Sequence, residues 1–264
     1  MQINYIRRGH GTPLLLVHGL GSSWRTWQTV IETLARERSV IAIDLPGFGK
    51  SPPLAEAPSI DGLADALTVF LKEHDLIGVD AVGSSMGARL VLELARRGNV
   101  VGTVVSLDPG GFWQGWQRYS FHAFVWTFSR MLRMLQPSLP RLAYTGWTRA
   151  ALMWALSAQP RRLAPALVLG EISGYTGAAT FEPLLAQLVH GAPQRGAPAG
   201  SLARNKRMVI GWGRNDRLCY PRQARRALQL FPDATLHWFE RCGHFPHWDA
   251  PDETARLILD TTAP

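Results

Sequence analysis

The sequence is poor in cysteine, with only Cys219 and Cys242, and it has no C-x-x-C pair or other metal-ligand spacing. This scarcity excludes a disulfide framework, and we expect no metal, although whether the two cysteines lie close together stays open. Apolar runs long enough to cross a bilayer are also lacking. Residues 1–8 contain no apolar segment of the kind found in a secretory signal. We therefore expect a cytoplasmic protein with no integral membrane contact.

Lysine is scarce as well, at positions 50, 72 and 206 only, so arginine supplies almost all of the positive charge behind the net charge of +8. The arginines occur as singles and pairs, without the basic stripe and interleaved aromatics of a nucleic-acid surface. We expect no nucleic-acid partner and a solvated, arginine-biased surface. Weak association of the tryptophan- and arginine-containing residues 111–200 with a membrane surface is the alternative.

What the sequence does have is a regular alternation of strand-like and helix-like segments, over 264 residues of which 46% are hydrophobic and 18% charged. Continuous apolar runs such as 14–17 and 40–43 are typical of strands buried on both faces. Chemically reactive residue types follow several of these runs, which predicts a mostly parallel central sheet flanked by helices, with a site along one edge. We predict a core of residues 1–110 and 201–264.

The alternation stops between residues 111 and 200, where no strand-like run occurs. Aromatic helical segments are predicted instead, at 119–135, 139–157, 161–172 and 181–189. We interpret residues 111–200 as a helical lid inserted into the core. Its tryptophans are expected to form mostly lid core, with Trp113, Trp126 and Trp154 as candidates for lining an apolar pocket. His122 and His190 are candidates for facing the same pocket.

A strand-turn-helix segment carries the strongest functional signal, Gly83-x-Ser85-x-Gly87. The flanking glycines allow a strand to reverse closely into a helix and leave the central hydroxyl exposed above the helix N-terminus. Ser84 is a rival by proximity, but the small residues are spaced symmetrically about Ser85. We predict Ser85 as a nucleophile.

A serine hydroxyl needs a base to take its proton and a third group to orient that base. His244 follows the last predicted strand and is the best base. Asp216 ends the preceding strand and is the best acid, with Asp108 as an alternative at the end of another strand. The backbone N–H groups of Leu20 and Met86 are expected to form an oxyanion hole.

Five segments in order resemble those of α/β-hydrolases of the carboxylesterase, peroxidase-like and C–C-hydrolase branch. They are His18-Gly19-Leu20-Gly21, Asp44-Leu45-Pro46-Gly47-Phe48-Gly49-Lys50-Ser51, Gly83-Ser84-Ser85-Met86-Gly87, Gly213-Arg214-Asn215-Asp216 and Gly243-His244-Phe245. The resemblance implies the α/β-hydrolase fold and Ser85, Asp216 and His244 as the catalytic residues. His18 and Gly19 are expected to support the oxyanion loop. The serine at position 85 argues against epoxide hydrolases and dehalogenases, which resemble this family but carry aspartate there.

The leading functional hypothesis is a serine hydrolase that cleaves a hydrophobic carboxylic ester, lactone or thioester through an acyl-enzyme, without a cofactor. C–C bond hydrolysis, acyl transfer and cofactor-free peroxidation on the same residues are alternatives, as is a ligand-binding protein without turnover. The expected partner is a small hydrophobic acyl or aromatic substrate, and the expected assembly is a monomer or homodimer. His247, close to His244 in sequence, is expected at the surface or behind the catalytic residues.

Overall fold

The structure, a computed structural model, describes residues 2–201 and 206–263. Seven strands form one sheet among these residues: β1 (Tyr5–Arg8), β2 (Pro13–Val17), β3 (Ser39–Ile43), β4 (Val79–Ser84), β5 (Val101–Leu107), β6 (Met208–Gly213) and β7 (Thr235–Phe239). Their order across the sheet is β1-β3-β2-β4-β5-β6-β7. Only the edge strand β1 runs antiparallel to its neighbour β3, and the other pairs are parallel. The mostly parallel sheet expected from the sequence is confirmed.

Alternate side chains of the central strands enter two separate hydrophobic layers, because successive residues of a strand point to opposite faces. On β2, Leu14 and Leu16 pack into one layer and Leu15 and Val17 into the other, and all four are fully buried. Helices α1 (Ile31–Leu34) and α11 (Pro251–Thr262) cover the first layer. Helices α2 (Ile60–Glu73), α3 (Met86–Arg97) and α9 (Ala224–Leu230) cover the second. The sheet is therefore flanked by helices, as expected.

Parallel strands end at the same edge of the sheet, and this alignment places the candidate residues together. Short helices occupy several of the loops at this edge: 3-10 helices at Trp24–Thr29 and Pro221–Gln223, and α10 at Pro246–Asp249. After the 3-10 helix at Trp24–Thr29, the chain continues directly into α1.

Five α-helices lie between β5 and β6, within the segment interpreted as a lid: α4 (Gln117–Met134), α5 (Leu139–Tyr144), α6 (Gly146–Met153), α7 (Pro165–Gly177) and α8 (Phe181–His190). Two 3-10 turns accompany them, at Gln136–Ser138 and Pro160–Arg162. The single helix predicted for residues 139–157 is wrong, since the extended backbone of Thr145 separates α5 from α6. The helix predicted at 161–172 begins instead at Pro165, a residue suited to a first helical turn. The domain boundaries and the movement of this segment as a lid stay predictions.

Among the described residues, none of the helices combines the length and apolar character that a membrane crossing requires.

Candidate active site

Ser85 lies between β4 and α3 in a backbone conformation that only a constrained turn imposes on serine. Its φ is 56° and its ψ is −113°. A Cβ on Gly83 would overlap the backbone of Gly87, and a Cβ on Gly87 would overlap the carbonyl oxygen of Val17. The two glycines are therefore required by close approach of the strand and helix, as their spacing indicates. Ser84, the rival, is fully buried, and its hydroxyl contacts no hydrogen-bond partner among the described residues.

Three side chains from separate strand ends are hydrogen-bonded in series. The Ser85 hydroxyl lies 2.8 Å from His244 Nε2, and His244 Nδ1 lies 2.8 Å from Asp216 Oδ2. The ionised carboxylate only accepts hydrogen bonds, so the proton of a neutral imidazole is on Nδ1 and Nε2 is free to accept from the serine. His244 and Asp216 are buried, and 9% of Ser85 is exposed. The structure thus brings together the three residues that the sequence predicts as catalytic.

Asp216 is held in position by the loop that follows it. Its second oxygen, Oδ1, accepts hydrogen bonds from the backbone N–H groups of Leu218 at 2.8 Å and Cys219 at 2.9 Å. These bonds leave Oδ2 aimed at the imidazole.

Asp108, the alternative acid, ends the neighbouring strand β5 and lies behind Asp216. Its Oδ1 accepts a hydrogen bond from the N–H of Gly213 at 2.8 Å. Complete burial, followed by the charge of Asp216, raises the pKa of Asp108 well above its usual range and so favours its neutral form. A carboxyl without a hydrogen bond to His244 does not suit the role of orienting acid, and the geometry favours Asp216.

The loop after β2 lies directly against Ser85. A Cβ on Gly19 would stand 3.1 Å from the Ser85 Cβ, so only glycine lets this backbone approach the hydroxyl without displacement. The backbone N–H groups of Leu20 and Met86 take no part in the turn and loop hydrogen bonds of the described residues. Met86 begins α3, where the first N–H groups have no partner within the helix. Both groups are therefore available to an oxyanion.

His18 fixes the orientation of the first of these donors. The N–H of Leu45 donates to His18 Nε2 at 2.8 Å, which places the ring proton on Nδ1, and Nδ1 donates to the Gly19 carbonyl at 2.7 Å. Burial lowers the pKa of His18 to about 4, which keeps the ring neutral. In a trans peptide the C=O and the next N–H point in opposite directions. By holding the Gly19 carbonyl, His18 constrains the direction of the Leu20 N–H, and its role in supporting an oxyanion hole stays a prediction.

The loop that carries His244 is clamped by the inserted helical segment. The backbone N–H of His244 donates to the Leu156 carbonyl at 2.9 Å. Asp249 accepts hydrogen bonds from the Ser157 hydroxyl and from the N–H groups of Ala158 and Gly243, the last two at 2.8 and 2.7 Å. Ser157 and Ala158 lie 92 and 91 residues from Asp249 in the chain, so the sequence pattern alone does not reveal this contact.

A second buried polar group joins the inserted helices to the oxyanion loop. Glu171 of α7 is 4% exposed, and its Oε2 accepts a hydrogen bond from the Ser22 hydroxyl at 2.9 Å. Burial raises the pKa of Glu171 to about 8. Thr26 lies near this carboxyl, and its hydroxyl is 3.2 Å from His247 Nε2. His247 is fully buried, which excludes the surface position expected as one alternative and leaves the other, a position behind the catalytic residues. It packs between Trp27, at 4.5 Å between ring centroids, and the Phe245 ring.

The four residues predicted to line an apolar pocket do not share one environment. Trp154, 58% exposed, lines a cavity of about 340 Å³ between α4, the end of α6 and the loop after Asp216. The Trp113 ring is partly buried and stacks on Phe121 at 4.9 Å. His122 is half-buried and contacts His190, with ring centroids 5.9 Å apart.

Trp126 lies on the outer surface of α4 and not in the expected pocket. It is 42% exposed and carries the Arg130 guanidinium 5.0 Å above its ring. The buried face of α4 is occupied by Phe121, Val125 and Phe128, which leaves Trp126 on the opposite side.

Asp216, Cys219 and His244 each present a potential metal-ligand atom within 4.8 Å of the others. The carboxylate and the imidazole already bond each other, and burial raises the pKa of the Cys219 thiol well above its usual range. A metal requires the thiolate, so this environment suits the hydrogen-bonded series better than a metal ion. Cys219 and Cys242 are both buried and free.

The sequence model of the Alpha/beta hydrolase family matches residues 14–257. The chain belongs to the alpha/beta hydrolase family. Of the solved structures in this family, an esterase from Thermogutta terrifontis superposes with a TM-score of 0.74, covering 98% of this chain and 92% of that chain. At 19% identity this likeness shows the fold alone.

Curated relatives in the family carry different names. A 2-hydroxy-6-oxo-2,4-heptadienoate hydrolase of Pseudomonas putida is 27% identical over 97% of this chain and 90% of its own length. The dihydrolipoyllysine-residue acetyltransferase component of the acetoin cleaving system of Cupriavidus necator is 28% identical over 98% of this chain and 66% of its own length. The same component of Pseudomonas putida is 39% identical over 32% of this chain and 23% of its own length. The chain thus spans less than two thirds of these acetyltransferase components.

Proposed function

We propose that this hydrolase-family chain cleaves a hydrophobic carboxylic ester, lactone or thioester through a covalent acyl-enzyme. The observation that carries the proposal is the hydrogen-bonded series from the Ser85 hydroxyl through both nitrogens of His244 to Asp216, at 2.8 Å for each contact. A nucleophile hydrogen-bonded to a base, with the base oriented by a third group, is the arrangement that nucleophilic acyl transfer requires.

In the first half-reaction, the Ser85 oxygen attacks the substrate carbonyl carbon while His244 Nε2 takes the hydroxyl proton. The resulting imidazolium is stabilised by Asp216 Oδ2, which holds Nδ1–H throughout. The N–H groups of Leu20 and Met86 donate to the oxyanion of the tetrahedral intermediate. When the intermediate collapses, the bond to the leaving group breaks and His244 returns its proton to that group.

In the second half-reaction, water attacks the acyl-enzyme carbonyl with His244 as base. The Ser85 oxygen leaves and regains a proton from His244, and the carboxylic acid product departs. The burial of His244 and Asp216 supports these two half-reactions, because fixed dipoles act more strongly where water is excluded.

An apolar substrate is supported by the cavity of about 340 Å³ beside the Asp216 loop. Phe121, Phe124 and Leu218 are among its lining residues, and Arg217 and Ser120 add polar groups at its wall. Such a cavity, apolar with a few polar groups, suits a small acyl or aromatic group. No step of the proposed reaction needs a cofactor.

Hydrolysis of a C–C bond is a second candidate on the same residues. It is favoured by the heptadienoate hydrolase relative, which aligns over 97% of this chain. The two candidates share the Ser85–His244 pair and the oxyanion donors, so the substrate distinguishes them and the catalytic geometry does not.

A substrate panel separates the two. Purified protein would be assayed with aryl esters of increasing acyl length, lactones, thioesters and dienone C–C substrates, with Ser85→Ala as the control for background hydrolysis. The proposal predicts that kcat/KM for an ester exceeds that for every dienone, and that Ser85→Ala abolishes turnover of both. Turnover of dienones alone would assign C–C hydrolysis, and turnover unchanged in Ser85→Ala would overturn both candidates.

A further inference from the structure

The first helices of the inserted segment expose large hydrophobic side chains to an unusual degree. Among the described residues, eleven large hydrophobic side chains are exposed, and eight of them lie between Trp116 and Trp154. Single exposed apolar residues need no explanation, whereas a concentration of this kind marks an interaction site. The eight are Trp116, Tyr119, Trp126, Met131, Met134, Tyr144, Trp147 and Trp154.

These side chains follow helical stripes and do not scatter around the helices. On α6 and its C-terminal residue, Trp147, Ala151 and Trp154 are all exposed at the spacing of one helix face, and the tryptophans are 72% and 58% exposed. On α4, Tyr119 and Trp126 are exposed seven residues apart, with 52% and 42% exposure. Each helix thus has a buried apolar face and a second, unpartnered one.

Three tryptophans and a pair of arginines form one exposed surface, which we call the aromatic face: Trp116, Trp147, Trp154, Arg161 and Arg162. Trp154, Arg161 and Arg162 line one open groove of about 670 Å³. Trp154 also lines the smaller cavity that Tyr220 closes, and the Tyr220 ring lies 6.1 Å from that of Trp116. The groove and the cavity therefore meet at Trp154.

The charge of this segment identifies the partner. Residues 111–170 contain seven arginines and no aspartate, glutamate or lysine. Several exposed rings carry a guanidinium on one face: Arg217 lies 4.5 Å from Trp154, Arg222 5.3 Å from Trp116 and Arg118 4.6 Å from Tyr119. Each such pair places an apolar aromatic surface next to a positive charge, so that one partner can contact both.

A second copy of the chain is a poor occupant of this face. In a two-fold contact the same patch meets itself, so the arginines of one copy would oppose those of the other. A lipid surface with anionic headgroups satisfies both components, because tryptophan and tyrosine rings settle at the headgroup level and arginines attract the negative charge.

We propose that the aromatic face docks this protein reversibly on the surface of an anionic lipid membrane. The docked surface includes Trp154 at the rim of the cavity beside the Asp216 loop, so a membrane-borne hydrophobic molecule would enter the cavity from the lipid side. The docking itself is independent of the proposed ester hydrolysis and is measured without turnover.

Co-sedimentation with sucrose-loaded vesicles tests the proposal. The full chain would be mixed with vesicles of phosphatidylcholine alone, and of phosphatidylcholine with phosphatidylglycerol, at low and at physiological salt. We expect binding to the phosphatidylglycerol vesicles only, weakened by salt because the attraction is screened.

Two pairs of variants locate the contact. Trp147→Ser with Trp154→Ser should reduce the partition coefficient at least about tenfold, while Val69→Ser with Ile77→Ser, at other exposed hydrophobic positions, should bind as the wild type. Arg161→Gln with Arg162→Gln should reduce it about fivefold for each arginine removed, while Arg8→Gln with Arg36→Gln, at exposed positions outside residues 111–170, should change it little.

Exposed arginines contribute no packing, so the Arg161 and Arg162 variant keeps the test valid even where the tryptophan variant fails to fold. Failure of the wild type to bind anionic vesicles at low salt would overturn the proposal, as would wild-type binding by the folded Arg161 and Arg162 variant. Equal binding to vesicles with and without phosphatidylglycerol would also contradict it. A dimer in light scattering that the Trp147 and Trp154 substitutions convert to a monomer would assign the face to a second copy instead.

Discussion

The strand-end site and the inserted helices of residues 111–200 are organised by different forces. At the strand ends, Ser85 and its partners are buried and paired, and glycines allow backbones to approach where a Cβ would overlap. Between β5 and β6 the helices leave tryptophans exposed beside arginines. The geometry of the reactive side chains is therefore determined by backbone topology, whereas the surface presented to substrates and partners is determined by side chains on helices.

The two regions nevertheless depend on each other at two loops. The segment at Leu156–Ala158 bonds the His244 loop directly and through Asp249. Helix α7 contacts the oxyanion loop through Glu171, and a Cβ on its Gly174 would overlap the carbonyl oxygen of Gly21. The inserted helices therefore contact both the loop that carries His244 and the loop that carries Leu20.

The largest expected effect lies wholly within the strand-end site. Asp216→Asn should reduce kcat by about 10⁴-fold, because an amide in place of the carboxylate favours the wrong imidazole tautomer and does not stabilise the imidazolium. Asp108→Asn, the matched control, changes a carboxyl that does not contact His244 into an amide of the same shape and should cost less than about tenfold. Steady-state kinetics on one activated ester would decide the point. A larger loss in Asp108→Asn than in Asp216→Asn would assign the acid to Asp108.

At the contact between α7 and the oxyanion loop, we expect Glu171 to make the free energy of unfolding depend on pH. Burial raises the pKa of Glu171 from 4.5 to about 8. Between pH 4.5 and pH 8 the folded protein therefore keeps a proton on this carboxyl that the unfolded chain has lost. The contribution to stability is complete below pH 4.5 and is lost as the pH rises towards 8, by up to about 5 kcal/mol. Glu171→Gln keeps a neutral group there and should remove that slope.

The titratable groups next to Glu171 do not produce the same fall in unfolding free energy between pH 4.5 and pH 8. Tyr175, on the same helix, has a pKa raised far above this range, and burial lowers the pKa of His247, reached through Thr26, to about 3. Urea unfolding of wild type and Glu171→Gln at a series of pH values would measure the difference. If the unfolding free energies of the two proteins vary with pH in parallel, Glu171 is already ionised in the folded state.

A smaller effect is expected for His18, which acts on the oxyanion donor without touching the substrate. His18→Ala frees the Gly19 carbonyl, and misorienting one oxyanion donor should reduce kcat by about 100-fold with little change in KM. His237→Ala, the control, removes a half-buried histidine bonded to Glu253 and should leave kcat unchanged. A reduced unfolding midpoint with unchanged kcat in His18→Ala would assign His18 to stability alone.

The smallest effect belongs to the inserted helices and concerns substrate choice. Phe124 lines the cavity beside the Asp216 loop, so Phe124→Ala should change the ratio of kcat/KM between long and short acyl esters by roughly tenfold. The kcat for a short ester should stay close to that of the wild type. Equal loss on all esters would indicate that Phe124 supports the catalytic loops and not the selection of substrate.

The strand-end site can be predicted from the sequence more completely than the inserted helices can. The parallel sheet and the elbow at Ser85 are predictable because continuous apolar runs and glycine spacing are local signals. The same holds for the order of Ser85, Asp216 and His244, since parallel strands bring their ends to one edge. Asp249 and Glu171 could not be assigned partners, because their contacts join segments far apart in sequence. The position of Trp126 could not be predicted because both sides of α4 carry aromatic residues, so composition does not tell the buried face from the exposed one.

The central claim is that the strand-end geometry activates Ser85 and no other serine. Reaction with a fluorophosphonate probe, followed by intact-mass and peptide mass spectrometry, tests it most directly. One equivalent of probe should attach to Ser85 in the wild type, and labelling should be lost in Ser85→Ala and in His244→Ala. Attachment to Ser84 or another residue, or labelling that persists in Ser85→Ala, would contradict the account.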